Sequence, residues 1–263
     1  MIMHNIWSVP RISRRAWKVW HRNLVVFFRT WKVNFFPPLI EAFLYLFAIG
    51  MGIGTYVKEI DGIPYINFIA PAILAIAVMN SAFFECTYGS YVRMYYQKSF
   101  DAMIATPLSI EDVIAGELLW GATRSVIYVI IMLPVLAAFG VISFPASLLA
   151  IPLAFLGGLM FGGIAMCFTA ITPSIDTLNY PSFLLITPMA LFSGTFFPLT
   201  LLPELFQYIA LALLPLTHLV AIMRMLTLPA MTGMLILHLA WIIMVTAIFC
   251  IVAINLMRRR LIV

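Results

Sequence analysis

Four ionisable residues stand inside long apolar stretches of this chain: Glu41, Glu85, Glu117 and Arg124. A charge in hydrocarbon is costly, and such residues usually face a protein interior or a partner of opposite sign. Glu117 and Arg124 are seven residues apart, so on a helix they share a face and differ in depth by roughly 10 Å at about 1.5 Å per residue. Two chemistries fit. One is a cluster that handles protons or substrate; the other, plainer one is a structural ion pair joining two helices, with Glu117 or Glu85 matching Arg124. Other chemistry lacks its residues. The chain has no Gly-Lys pair, hence no loop for nucleotide phosphates. His4, His21, His218 and His238 have no carboxylate or cysteine at ligand spacing, and neither HExxH nor G-x-S-x-G occurs. Cys86, Cys167 and Cys250 all lie in apolar segments without a CxxC and read as small hydrophobes. No catalytic residue, metal site or cofactor is expected in this chain.

The elements that position these charges follow from composition. Of 263 residues, 64% are hydrophobic and 10% charged, and the mean hydropathy is +1.08. A soluble domain carries about 25% charged residues, so the missing polar surface must face lipid. A spanning helix takes about 20 apolar residues, which leaves room for about six. The predicted spans cover residues 35–57, 65–92, 113–139, 148–172 and 233–256, with a sixth in the proline-broken stretch 180–228. Pro181, Pro188, Gly194, Pro198, Pro203 and Pro215 interrupt that stretch. Two short half-helices entering and leaving one side fit it better than a single clean span. Gly157-Gly158 and Gly162-Gly163 in the fourth span permit close helix packing. Met and Phe are scattered through the spans, and a subset could line a path for an amphiphile.

Residues 8–32 are amphipathic. Arg11, Arg15, Lys18, Arg22 and Arg29 share one face, while Ile12, Ala16, Trp20, Leu24, Phe27 and Trp31 share the other. That pattern predicts an interfacial helix with its basic stripe toward anionic lipid. A nucleic-acid arm would leave the aromatic face without a partner, so no nucleic acid is expected. The domain division is therefore 1–32, interfacial helix, and 33–263, spanning bundle. No cleavable leader is expected, the first span serving as its own insertion signal. Twelve Lys/Arg lie before the first span, between spans two and three, and after the last; only Lys58 and Arg224 fall on the other side. The positive-inside rule then predicts cytoplasmic termini and a cytoplasmic 93–112 segment.

The residues also carry a resemblance. Phe192-Ser193-Gly194-Thr195-Phe196-Phe197-Pro198-Leu199-Thr200-Leu201-Leu202-Pro203 resembles the S-G-x-x-F-P-x-x-x-L-P block of type-2 ABC transporter permeases. Pro215-Leu216-Thr217-His218 is similar to the P-x-x-H/Y that follows it. Phe84-Glu85-Cys86-Thr87-Tyr88 with Arg93-Met94 and Gln97, then Asp112 through Leu118, resemble the nodulation-factor (lipochitooligosaccharide) and drug exporter permeases. So does Leu44-Tyr45-Leu46-Phe47 with Gly50, Gly52 and Gly54 after it. The likeness covers about residues 33–260.

The resemblance implies an all-α membrane protein. It would have six transmembrane helices, an N-terminal amphipathic helix and a re-entrant hairpin between spans five and six. It also implies a homodimer in the bacterial cytoplasmic membrane, paired with two copies of a separate ABC ATPase that would hold ATP and Mg. On this reading residues 93–112 contain a coupling helix that docks on the ATPase, with Arg93, Tyr96, Lys98, Phe100, Asp101 and Met103 as its contact residues. A helix over 94–104 would present Tyr96, Phe100 and Met103 on one face. Ser193, Gly194, Phe197, Pro198 and Pro203 would form an outer gate. The expected function is the membrane subunit of an exporter for an amphiphile: a lipid-linked oligosaccharide, glycolipid or hydrophobic drug. A proton-coupled secondary transporter using Glu85, Glu117 and Arg124 is the alternative. No internal repeat of the hydropathy pattern supports that alternative. A scaffold without cargo would also permit purely structural charges.

Overall fold

The computed structural model describes residues 8–143, 145–228 and 234–262. His4 and the start of the expected 1–32 segment lie outside the described residues. The chain is helical almost throughout. An amphipathic helix α1 (Ala16–Arg29) leads through Thr30 into α2 (Trp31–Tyr56). A two-residue antiparallel ribbon, β1 (Glu59–Ile60) with β2 (Ile63–Pro64), turns the chain into α3 (Tyr65–Tyr96). A one-and-a-half-turn helix α4 (Ser99–Ile104) precedes α5 (Ile110–Ala138), and α6 (Ala146–Ile171) follows. Residues 179–192 form the helical segment α7, followed by α8 (Glu204–Leu213), α9 (Pro215–Thr227) and α10 (Leu235–Leu261).

Among the described residues five helices are long and apolar enough to cross a membrane: α2, α3, α5, α6 and α10. The count reaches six if α8 and α9, bent by 89° at Leu214, are taken as one. The bend has a local cause. Pro215 sits at the first position of α9, where a missing N–H costs nothing, and it ends the preceding helix.

α3 is the centre of the bundle; nearly every residue from Phe68 to Phe83 is buried. α6 packs on it, on α5 and on α10. Close approach is possible because a Cβ at Gly158 would lie 2.7 Å from Ala122 Cα, and one at Gly163 would lie 3.1 Å from the Cys250 backbone nitrogen. The glycine pairs thus act as contact points between backbones, as small residues do where no hydrophobic force drives helices together. α2 and α10 present large apolar side chains outward, Phe43, Leu44, Phe47, Ile236 and Ile243 among them.

The end of the bundle that carries Tyr96, Ile110, Ile171 and Leu261 is here called the basic end. It is sewn together by polar contacts. Arg258 pairs with Glu111 at 3.1 Å, Arg260 donates to the Thr169 and Thr172 carbonyls, and Tyr91 donates to the Pro173 carbonyl at 2.9 Å. Ser109 caps α5 in a capping box with Asp112, whose carboxylate also accepts from the Ser13 backbone and hydroxyl.

Two sequence expectations change here. The amphipathic helix begins only at Ala16, because Ser13 and Arg15 bond to Asp112 and to the Pro107 carbonyl instead of extending the helix. Its inward face is Ala16, Val19, Asn23 and Phe27, packed along α5, while Ile12 and Trp31 are exposed. Gly116 makes that docking possible, since a Cβ there would meet Val19 Cβ at 2.5 Å. The first long helix begins at Trp31, ahead of the expected start at 35, and runs on through Pro37 and Pro38.

Candidate functional site

The C-terminal third of α3 winds through two π turns, Glu85–Gly89 and Val92–Tyr96. The wider winding places residues 85, 89 and 93 in one column. Gly89 leaves room between the two charged side chains, for a Cβ there would lie 3.0 Å from Glu85 Oε1 and 3.4 Å from Arg93 Nη1. Such π segments are frequent at functional sites. Across from this column α5 presents Glu117, Trp120 and Arg124 at i, i+3 and i+7, while α1 supplies Asn23 and α2 supplies Asn34.

These residues form a chain of alternating charge. Arg93 lies between the two carboxylates, with Nη2 at 2.5 Å and Nε at 2.9 Å from Glu117 Oε2, and Nη1 at 2.7 Å from Glu85 Oε1. Glu117, completely buried, also accepts from Asn23 Nδ2 at 2.9 Å and Ser90 Oγ at 3.0 Å. Glu85 Oε1 accepts from Trp120 Nε1 at 2.9 Å. At the far end Arg124 Nε stands 3.5 Å from Glu85 Oε2, an ion pair without a hydrogen bond, and Arg124 Nη1 donates to Asn34 Oδ1 at 2.5 Å. Phe27 and Tyr128 lie within cation–π range of the same guanidinium. A cavity of about 450 Å³ opens beside the chain, lined by Arg22, Asn23, Asn34, Gln97 and Arg124 among others. Burial lowers the Arg22 guanidinium from its ordinary value, an effect opposed by Glu117.

Of the two pairings the sequence left open for Arg124, the one with Glu85 forms and the one with Glu117 does not. Glu117 pairs with Arg93, and Arg124 reaches only Glu85. Arg93, assigned from the sequence to the docking segment, is the pivot of the buried network. Glu41 makes no ion pair among the described residues. It faces instead a cavity of about 370 Å³ with Asn80, Ser81, Glu85, Arg124 and Tyr128. A second cavity of about 470 Å³ shares Asn80 and Phe84 with it and continues past Tyr45, Tyr88, Asn179 and Thr187 to Phe196. Together they make a groove along α3, walled by α2 and α7, from the charge chain to the S-G-x-x-F-P block.

The remaining predicted residues divide. In the 93–112 segment no continuous helix over 94–104 forms, because Lys98 takes a left-handed conformation (φ 52°) that separates the second π turn from α4. Tyr96, Lys98 and Asp101 are exposed, Lys98 and Asp101 standing 4.0 Å apart. Phe100 is wholly buried inside the chain and Met103 is half-buried against Arg22, so the shared face of Tyr96, Phe100 and Met103 does not exist. At the opposite end Ser193 and Gly194 are buried, Phe197 and Pro198 half-buried, and Pro203 exposed ahead of α8. Gly194 has φ +72°, a conformation side chains disfavour, and a Cβ there would lie 3.0 Å from Leu199.

A family model described as ABC-2 type transporter matches residues 14–228. The chain belongs to that family. Its permease character is carried further by curated relatives. Nodulation protein J of Sinorhizobium fredii (strain NBRC 101917 / NGR234) is 32% identical over 92% of each chain. Nodulation protein J of Rhizobium leguminosarum bv. viciae is 34% identical over 92% of this chain and 93% of that one. The inner membrane transport permease YadH of Escherichia coli (strain K12) is 26% identical over 78% of each. This permease is thus a transmembrane subunit of an ABC transporter, a transport subunit and not a catalytic enzyme, of the type-2 kind and close to Nodulation protein J. Permeases of this family work with an ABC ATPase, and the proton-coupled alternative is not favoured.

Several residues of the permease escaped the sequence reading. Asn23 looked like one more polar position on an amphipathic helix, and Asn80 and Asn34 carried no motif. Arg224 entered only as a charge on the minority side. In the structure it is 9% exposed and donates to the Phe68 carbonyl and the Thr195 carbonyl, both at 3.2 Å, so it holds the S-G-x-x-F-P block against the start of α3. His218 accounts for the P-x-x-H element: its Nε2 donates to the Leu211 carbonyl at 2.8 Å across the α8–α9 bend, and its ring stacks on Trp241 at 4.1 Å. A charge or a histidine inside the apolar 215–228 run was the signal available.

Proposed function

We propose that this permease exports an amphiphile with a polar head across the bacterial inner membrane, as a homodimer driven by two copies of an ABC ATPase. The observation that carries the reading is the groove. Its lining from α3 and α7 pairs amides and hydroxyls (Asn80, Ser81, Asn179, Ser182, Thr187) with aromatic and aliphatic groups (Phe84, Phe183, Ile186). That lining suits a molecule with both a polar and an apolar part, and a second copy would close the open side. Lipid-linked oligosaccharides, glycolipids and hydrophobic drugs have that form, and the resemblance to nodulation-factor (lipochitooligosaccharide) exporter permeases favours the first two.

A six-span layout with a re-entrant hairpin is supported by contacts at the two ends of α3. Asn179 accepts from Tyr88 at 2.6 Å and the Phe196 carbonyl accepts from Tyr65 at 3.1 Å. Those tyrosines are separated by about 35 Å of helix at about 1.5 Å per residue, so residues 179–196 run the depth of a bilayer core. Leu219 meets Gly157 and Val78 well inside the bundle, whereas the Thr227 carbonyl accepts from Ser143 at the end opposite the basic one. α8 and α9 then dip in and return on one side. With the basic end cytoplasmic, this hairpin and the S-G-x-x-F-P block before it, with Gly194, form the outer gate, and the exposed Tyr96, Lys98 and Asp101 are the surface for the ATPase. Arg93 and Phe100 act behind that surface, tying it to the bundle.

The test is ATP-dependent uptake of a lipid-linked oligosaccharide into inverted vesicles containing the permease and its ATPase. Asn80→Phe, which fills the middle of the groove, is expected to abolish uptake while the complex still assembles. Uptake driven by a proton gradient without ATP, or normal uptake by Asn80→Phe, would overturn the reading.

A further inference from the structure

The end of the bundle opposite the basic one holds a second polar site, unconnected with the charge chain. A cavity of about 270 Å³ lies between the S-G-x-x-F-P block, the start of α3, the hairpin α8–α9 and the start of α10. Ser193, Gly194, Thr217, Arg224 and His238 line it, with Asp61 at the rim. Arg224 carries a full positive charge there without a counter-charge: among the described residues no carboxylate lies within ion-pair distance of it, and none of the remaining residues has an acidic side chain. Its Nε and Nη2 are used on the Phe68 and Thr195 carbonyls and its plane lies 3.7 Å over the Phe68 ring, while Nη1 donates to nothing described. Beside it stand two orphans. The hydroxyls of Ser193 and Thr217, residues 1% and 2% exposed, are closed to solvent and have no hydrogen-bond partner. A buried, unpartnered polar group costs about 1–3 kcal/mol, and a buried charge without a partner costs more. Two unpartnered hydroxyls and an arginine without a counter-charge, all on residues that line one cavity, form a donor set that awaits an acceptor.

We propose that this cavity binds the phosphate group of an amphiphile entering from the adjoining leaflet, with Arg224 as the charged anchor and Ser193 and Thr217 as hydroxyl donors. A phosphodiester matches all three: a single negative charge for the one guanidinium, and several acceptor oxygens for the hydroxyls. Asp61, which is exposed and makes no ion pair with Arg224, disfavours a dianion and accepts from a hydroxyl on the headgroup. An apolar ligand would leave all three donors unmatched. The site is independent of the cargo and direction proposed above, because it is read as binding and not as transport.

The full-length permease in dodecyl maltoside, a neutral sugar detergent, provides the test. Binding of dihexanoylphosphatidylglycerol is measured by thermal shift and by native mass spectrometry, with inorganic phosphate and octyl glucoside as comparison probes. Saturable binding of the phosphodiester is expected, at least about tenfold tighter than inorganic phosphate. Ser193→Ala and Thr217→Val together remove both hydroxyls and leave Arg224 on its two carbonyls. This variant is expected to be no less stable without ligand and to bind the phosphodiester at least about tenfold more weakly, the weight of a hydrogen bond to a charged group. Equal binding by the variant overturns the proposal. So does inorganic phosphate or octyl glucoside binding as tightly as the phosphodiester, since either makes the amphiphile or the charge irrelevant.

Discussion

The permease buries arginines in two regions under opposite conditions. At the basic end Arg93 and Arg124 meet Glu85 and Glu117, so the sum of charge is zero and the carboxylates accept from asparagine, serine and tryptophan as well. At the other end Arg224 has backbone carbonyls and an aromatic face but no carboxylate, and two hydroxyls beside it are unmatched. A charge-balanced network is a joint: removing Arg93 from its centre strands Glu117 inside low dielectric, so α1, α3 and α5 are held as one unit, while Arg124 at its edge keeps an unpartnered Nε. A charge without a counter-charge can gain by binding. On the proposals above, the difference separates a part that transmits force from a part that receives a molecule, and it predicts a rank order for removing each arginine.

Arg93→Met should have the largest effect. It strands Glu117 in a site with no solvent access and takes from Glu85 its nearer cation; breaking a buried pair in this way costs about 3–5 kcal/mol. Loss of monodisperse protein in detergent, or a fall of many degrees in the unfolding midpoint, is the expected outcome. Glu117→Gln in the same chain should restore much of it, since the stranded charge is then gone. An Arg93→Met variant as stable as the parent would mean that the network is not a joint.

Arg224→Gln should cost less, about 1–3 kcal/mol, because it removes hydrogen bonds to two carbonyls without stranding a charge. Its signature is local. Hydrogen exchange should rise at Ser193–Phe196 and at the start of α3 while α5 is unchanged. If exchange rises equally throughout the bundle, the two regions are not the separate units described above.

How much of this was legible in the sequence follows from what each reading assumed. Hydropathy located the long helices to within a few residues because lipid demands about 20 apolar residues whatever they pack against. Glu85, Glu117 and Arg124 were legible for the same reason, as charges that lipid would reject. That Glu85 or Glu117 would meet Arg124 was legible too, and Glu85 does; the place of Arg93 between the carboxylates was not, because helix-period reasoning assumes 3.6 residues per turn, and the π turns at Glu85–Gly89 and Val92–Tyr96 change that period just where Arg93 folds back. Phe100 was misplaced by a related assumption. A face at i, i+4 and i+7 needs an unbroken helix, and Lys98 breaks it, turning Phe100 into the core and leaving Tyr96 outside. Arg224 was visible only as a topological charge, since its role depends on the Phe68 and Thr195 carbonyls, which no sequence pattern marks.

Arg124→Met is the smallest change in stability and the most informative about function. The guanidinium is the loosest member of the chain: it stands 3.5 Å from Glu85, and its side chain is 17% exposed. Glu85 keeps Arg93 and Trp120 when it is gone, so about 1 kcal/mol is the expected loss, in the range of partly exposed pairs. Arg124 is also the member that faces outward, for it lines both the cavity beside α1 and the groove along α3 with Glu41, Asn80 and Tyr128. On the proposed reading, a cargo head entering the groove meets this charge at its basic end. Near-normal folding with ATPase assembly intact, but with ATP-dependent uptake reduced at least about tenfold, would show that the joint borders the transport path and shares a residue with it. Uptake at the parental rate would confine the charge chain to holding helices together and leave the polar lining of the groove, Asn80 foremost, as the part that handles the cargo.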